Sequence, residues 1–277
     1  MTTAPTSPLI LGGHSFFSEL GNDPVPSPEL QREIVRACLD GGITRFDTTH
    51  QPERLALGRA LKDLGRREEA TIFAWNFLKE LGPEDKLDRP IPYESRHIDQ
   101  LCRELQTDYI DGVVIHDLDG GSAEVHAGQE SVARAWVQQG RVRTLGVWAP
   151  RADATARYGG DPAFTFMICP LNVDTPGAAA TFELGKSQGW RNFACSPFVR
   201  GWTLDRMLEK AQTQEAGDPV AVRTTLADRL LRYTLYHPNV DGAITAIRRL
   251  EWVQANIDSA ARGPLDEQEM AWLRGLL

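Results

Sequence analysis

Three of the six histidines, His14, His50 and His116, stand with Asp47 and Asp117 directly after short apolar runs. Histidine exchanges a proton near neutral pH, and a neighbouring carboxylate can orient it or accept from it. The set therefore suits general acid/base chemistry, with His116 or His50 shuttling a proton, His14 as a further donor and Asp47 orienting or accepting. Histidine and carboxylate on neighbouring elements also suit zinc. The spacing matches no ligand motif, so no metal is assigned. Trp75, Asn76, Trp148 and Cys195 close other apolar runs. The two tryptophans could wall an aromatic substrate pocket or simply pack. Nothing near Cys195 in the sequence activates its thiol, which reads as inert. Arg248 suits an adenosine phosphate or a substrate carboxylate, or a plain helix entry.

These residues need elements to hold them. Leu9–Gly12, Ile43–Asp47, Ala70–Ala74, Tyr109–Ile115, Val142–Val147, Phe164–Cys169, Asn192–Cys195 and Gly242–Ile247 read as short strands. Between them run helical patterns: Pro26–Gly41 capped by Ser27, Glu53–Leu64 closed by Gly65, Tyr93–Leu105 with Ser95 as cap, and Glu130–Gln139 closed by Gly140. Thr175–Gln188, Ala221–Tyr236 and Leu250–Ala261 continue the series, and Gln212–Pro219 reads as an exposed loop. Apolar strands joined by helical crossovers imply parallel pairing with both faces covered. The repeated strand-helix unit predicts a (β/α)8 barrel, here one domain over residues 1–277 with Met1–Pro8 as a flexible start. A doubly wound sheet is the alternative, but no G-x-G-x-x-G follows the first strand. In a barrel the chemistry sits at the C-terminal strand ends, where the residues above fall.

The 277 residues carry a net charge of −8, which argues against a nucleic-acid surface. No apolar run is long enough for a membrane helix, and the polar start Met1–Pro8 does not read as a signal peptide. The four cysteines form no C-x-x-C pair and read as thiols in a reducing cytoplasm. A small-molecule substrate is the expected partner, and the oligomeric state is not legible.

Several segments together resemble the aldo-keto reductase family. Gly42-Ile43-Thr44-Arg45-Phe46-Asp47-Thr48-Thr49 is similar to its "G-I-x-x-F-D-T-A", and Glu53 to Leu61 to its "E-x-x-L-G-x-A-L" helix. Asp108-Tyr109-Ile110-Asp111 with His116 resembles "D-Y-I-D-L…H", and Gly140 to Val147 resembles "G-K-I-R-x-I-G-V". Ser196-Pro197-Phe198 with Arg200-Gly201 resembles "S-P-L-x-x-G", and Arg248, Glu251 and Asn256 keep the spacing of "R-S-x-E-x-x-x-x-N". The resemblance implies the barrel fold and NADPH-dependent carbonyl reduction through an Asp, a Tyr, a Lys and a His at the mouth. Asp47 and His116 match two of these. No tyrosine follows Asp47 at the family's spacing, Asn76 stands in the lysine's place, and Lys79 lies three residues further along. At the nicotinamide end, Trp148-Ala149 replaces the family's Ser-Asn and Cys195 its aromatic residue. Ser196, Arg248 and Asn256 remain as cofactor contacts if NADPH binds. A carbonyl reduction needs a proton donor that Pro52 and Asn76 cannot supply. The expectation is therefore an enzyme with altered, redox-neutral acid/base chemistry (dehydration, elimination, isomerisation or hydrolysis) and no favoured cofactor. Its alternatives are an NADPH-dependent carbonyl reductase with a substituted proton donor, and an inactive binding or assembly protein.

Overall fold

A computed structural model describes residues 7–17, 24–78, 87–116, 121–199, 202–214 and 217–277. Lys79, Asp117, Arg200, Gly201 and residues 1–6 lie outside them. Ser7 and Pro8, expected to be part of a flexible start, are instead fixed to the barrel. The Ser7 amide donates to the Gly42 carbonyl at 3.2 Å, and the Pro8 carbonyl accepts from Ala243 at 2.9 Å.

Eight strands close a barrel in chain order: β1 Leu9–Gly12, β2 Arg45–Thr48, β3 Thr71–Trp75, β4 Ile110–Ile115, β5 Val142–Trp148, β6 Phe164–Pro170, β7 Arg191–Cys195 and β8 Gly242–Thr245. Every neighbouring pair is parallel, β8 to β1 included. The helices are α1 Pro28–Asp40, α2 Gln51–Leu64, α3 His97–Glu104, α4 Ala123–Gln138, α5 Ala152–Arg157, α6 Ala179–Ser187, α7 Trp202–Gln214, α8 Pro219–Leu235, α9 Glu251–Ala261 and α10 Glu267–Gly275. This is the (β/α)8 architecture the alternating pattern predicts.

Local chemistry explains most boundaries. Ser27 caps α1 by accepting from the Leu30 amide, Pro28 opens the helix, and Ile34, Val35, Cys38 and Leu39 turn one stripe inward. Gly65 ends α2 in the left-handed conformation (φ 65°) that a side chain resists. Ser95 does not cap α3, which starts two residues later behind a turn. The Gln212–Pro219 stretch begins inside α7 rather than as loop. Helices α5, α7 and α10 were not read from the sequence.

Alternation along each strand sends one set of side chains outward under the helices and the other into the barrel. The inner set packs Ile10, Phe73, Trp75, Val114, Phe166, Ile168, Phe193 and Ile244 together. Phe73 and Phe166 stack at 4.6 Å across the interior. They fit because the strands between them present glycine: a Cβ on Gly146 would lie 2.2 Å from the Phe166 ring. The same alternation puts Asp47 and Arg45 on the inner face of β2, near opposite ends of the barrel.

Candidate active site

The mouth is built around Asp47. Its carboxylate accepts a hydrogen bond from the Trp75 indole Nε1 at 2.6 Å, and the residue is 5% exposed. The third-strand side chain that meets Asp47 is thus Trp75, not Asn76. With Trp75 pointing inward, period-two alternation turns Asn76 outward. There its Nδ2 donates to the carbonyls of Ile91 and His116, each at 3.2 Å, and the side chain is fully buried. Asn76 therefore does not line the mouth as expected.

His14 sits on a short 3-10 turn, Gly13–Phe16, that follows β1. Its Nδ1 is 2.9 Å from Oε1 of Glu53, a fully buried carboxylate on the first turn of α2. The other oxygen of Glu53 accepts from the amides of Thr49 (2.6 Å) and His50 (3.1 Å) at the helix N-terminus. Gly13 permits this approach, because a Cβ there would stand 2.3 Å from Glu53 Oε2. The His14 turn is tied down from the segment after β8: Ser15 Oγ donates to the Gly12 carbonyl and accepts from the Ile247 amide. Arg248 donates to the carbonyls of His14 and Phe17. Arg248 is 6% exposed and engaged on these backbone oxygens, so it anchors the His14 turn.

His50 forms a second pair. Its Nδ1 bonds the carboxylate of Asp88, and both side chains are buried. The His14 and His50 rings are 5.9 Å apart between centroids, with His50 stacked on Phe17 and edge-on to Phe77. Behind them Arg54 is fully buried, donating to Glu104 Oε2 (2.6 Å) and the Thr49 carbonyl (2.7 Å). Its Nη2 lies 3.9 Å from Asp88 Oδ2, which holds Asp88 electrostatically.

The expected pair Asp47–His116 is not formed. The Trp75 indole, bonded to Asp47, stands 6.2 Å from the His116 ring between centroids. His116 instead stacks on half-exposed Trp148 (6.0 Å, 10° between planes) and meets the Phe77 ring edge-on. Trp148 also packs 5.4 Å from Trp75, so both tryptophans do line the mouth. Cys195, at the end of β7, packs against this inner cluster, with Ser196 Oγ 4.0 Å from its sulfur. Ser196 adopts φ 59°, and its carbonyl accepts from Asn172 Nδ2 at 3.0 Å. Asn256 is half-exposed on α9. None of the four cysteines is disulfide-bonded, and burial pushes the Cys38 and Cys169 thiols up to about 12.

The two carboxylates nearest His14 differ in acidity. Burial pushes Asp47 up to about 7, the Trp75 hydrogen bond opposes it, and the negative charge of Glu53 raises it further. Burial pushes Glu53 up as well. His14, the nearby His50 and the His50 amide outweigh that and hold it below the ordinary 4.5. Near neutral pH the cluster thus keeps Glu53 ionised and Asp47 poised to gain or lose a proton. Glu53, Asp88 and Arg54 are the parts that reading the sequence missed. Glu53 is visible there only as a helix-motif residue, and Asp88 has no local signal 38 positions from His50.

The chain resembles solved structures over nearly its whole length. An aldo-keto reductase from Bacillus halodurans in its holo form superposes with a TM-score of 0.75 at 20% identity, covering 98% of this chain and 92% of that one. An aldo/keto reductase from Klebsiella pneumoniae in complex with NADP and acetate gives 0.73 at 19% identity, covering 98% and 91%. These likenesses show the fold. The model of the aldo/keto reductase family matches residues 8–173, more than half of the sequence and the part that carries Asp47, Trp75, His116 and both histidine–carboxylate pairs, so the chain belongs to the aldo/keto reductase family.

Proposed function

We propose that this protein is an NADP(H)-dependent carbonyl reductase in which His14, held by Glu53 and set beside Asp47, takes the part of the proton donor. The observation that carries the reading is the His14–Glu53–Asp47 cluster at the C-terminal end of β1 and β2, where barrel enzymes place their chemistry. Family membership, and the NADP in the Klebsiella pneumoniae relative, support the cofactor and favour it over the cofactor-free expectation.

The residues present fit NADP(H) in a reduced form. Half-exposed Trp148 offers an aromatic face at the end of β5, Ser196 a hydroxyl at the end of β7, and Asn256 an amide on α9. When bound, the cofactor supplies a hydride for the carbonyl carbon. The protein's own task is the proton for the carbonyl oxygen. Ionised Glu53 fixes Nδ1–H of His14, which leaves Nε2 as the atom that gives the proton. Asp47, with an acidity near neutral, exchanges protons in the same pocket, and the Trp75 N–H steadies its charged form. The aromatic wall of Trp75, Phe77 and Trp148 excludes water, which strengthens each of these interactions.

The test is NADPH consumption with a panel of aldehydes and ketones. The expected result is turnover by the wild type and a loss of about a hundredfold or more in kcat for His14→Gln, with NADPH affinity retained. Unchanged turnover in His14→Gln sinks the donor assignment.

A second reading, redox-neutral proton transfer, is favoured by the second pair. Two histidines with carboxylate-bound Nδ1 atoms, 5.9 Å apart, form a base and an acid that can serve one substrate. Incubating the same panel in heavy water without cofactor separates the two. Deuterium incorporation at carbon supports proton transfer, and its absence alongside NADPH turnover supports reduction.

A further inference from the structure

A second charged constellation lies at the opposite end of the barrel. Arg45 on β2 and Arg191 on β7 share the inner face with Ile10, Thr71 and Phe166, their register partners near the N-terminal strand ends. They line a half-open cavity of about 320 Å³, with threonine hydroxyls from Thr71 and Thr144 on its wall and the rings of Phe166 and Phe193 as its inner surface. Among the described residues no carboxylate lines it.

The charges in this cavity are poorly compensated. Arg45 donates to the Ser7 carbonyl at 3.2 Å and lies 5.7 Å from the Phe193 ring centroid. Burial first, and then the positive charge of Arg191, weaken its hold on its proton. Asp241 offsets only part of this. Asp241 is itself engaged, bonded to Lys186 and accepting from the Asn192 amide at 2.7 Å. Arg191 is exposed, and its side chain makes no hydrogen bond or ion pair among the described residues. Two guanidinium groups in one pocket repel each other. That repulsion is greater over an apolar inner surface than in water, so the arrangement gains from an anion set between them. Phe166 and Phe193, 2% and 1% exposed, form the apolar floor of the cavity, with Arg45 over the edge of the Phe193 ring. The proton chemistry proposed above lies at the other mouth and uses none of these residues.

We propose that this cavity is a binding site for a small oxyanion-bearing molecule with an aromatic body. Its head sits between Arg45 and Arg191, with the Thr71 hydroxyl as a further donor. Its ring lies against Phe166 and Phe193. Arg suits both carboxylate and phosphate oxygens through its forked donors, so the two sources of the head group are separated by experiment.

The test is calorimetric titration of the full-length protein at constant ionic strength with phenyl phosphate, benzoate, inorganic phosphate and benzyl alcohol. Saturable binding of phenyl phosphate or benzoate is expected, whichever is tighter naming the head group, with no binding of benzyl alcohol. Arg191→Gln, an exposed substitution that breaks no described contact, is expected to weaken it by about tenfold or more. Arg45→Gln should do the same, with circular dichroism confirming that it folds. Absence of saturation with both aromatic anions overturns the site. So does unaltered binding in folded Arg191→Gln, because the anion then sits elsewhere. Equal affinity for inorganic and phenyl phosphate overturns the role given to the phenylalanine rings.

Discussion

Replacing Asp47 with Asn removes a buried charge while leaving an oxygen for the Trp75 indole to donate to. The native carboxyl titrates at about 7 against an ordinary value of 3.8. Because the folded-state value is raised, the native protein holds a proton that the unfolded chain gives up. The stability that Asp47 contributes is therefore complete below the unfolded value and is lost as pH rises toward 7. At about 1.4 kcal/mol per pH unit, the whole difference amounts to about 4 kcal/mol. Roughly 2 kcal/mol of it falls between about pH 5 and pH 7, and little is left above. The substituted amide does not titrate, and the other ionisable groups act in both proteins, so they largely cancel in the comparison. Urea unfolding of wild type and Asp47→Asn at intervals from about pH 5 to pH 9 should show the variant gaining about 2 kcal/mol relative to wild type up to pH 7, then a plateau. A pH-independent difference would refute the raised acidity constant. A difference of opposite sign would mean that His14 stabilises the Asp47 charge more than burial penalises it.

Three further substitutions probe the same account. Trp75→Phe removes the indole donor to Asp47 and should cost about 1–3 kcal/mol, more above pH 7 where the carboxylate is charged, as measured by denaturant unfolding on either side of that pH. Arg54→Met leaves Glu104 and Asp88 without their buried cation and should cost about 3–5 kcal/mol, with Arg54→Met/Glu104→Gln less destabilised than the single variant. Gly146→Ala drives a methyl into the Phe166 ring and should lower Tm, with about 1–3 kcal/mol lost; adding Phe166→Leu should restore part of it, and strict additivity would contradict the packing described.

The barrel was legible because its signals are local and repeated. Ser27 before Pro28, Gly65 after Leu64 and eight short apolar runs each mark an element on their own. Helices α5, α7 and α10 escaped because α5 is only six residues long, α7 runs into the polar Gln212–Pro219 stretch, and α10 lies beyond the last strand–helix unit that the barrel pattern requires. At the mouth, Asp47, His14, His50, Trp75 and Trp148 stand where barrel logic places them. Their pairings were not legible, since they depend on which way a side chain turns. A shift of one residue separates inward Trp75 from outward Asn76. Asp88 reaches His50, and Arg248 reaches the His14 turn, only through the fold. The acidity of Asp47 likewise follows from burial, which no sequence motif states.

The central claim, that the mouth serves NADP(H) with a histidine proton donor, is tested most directly by titrating the protein with NADPH while following tryptophan fluorescence. Trp75 and Trp148 flank the site, so saturable quenching is predicted, diminished in Trp148→Ala and Asn256→Ala and preserved in His14→Gln. No saturable change up to millimolar NADPH would contradict the claim and turn the search toward cofactor-free chemistry at His14 and His50.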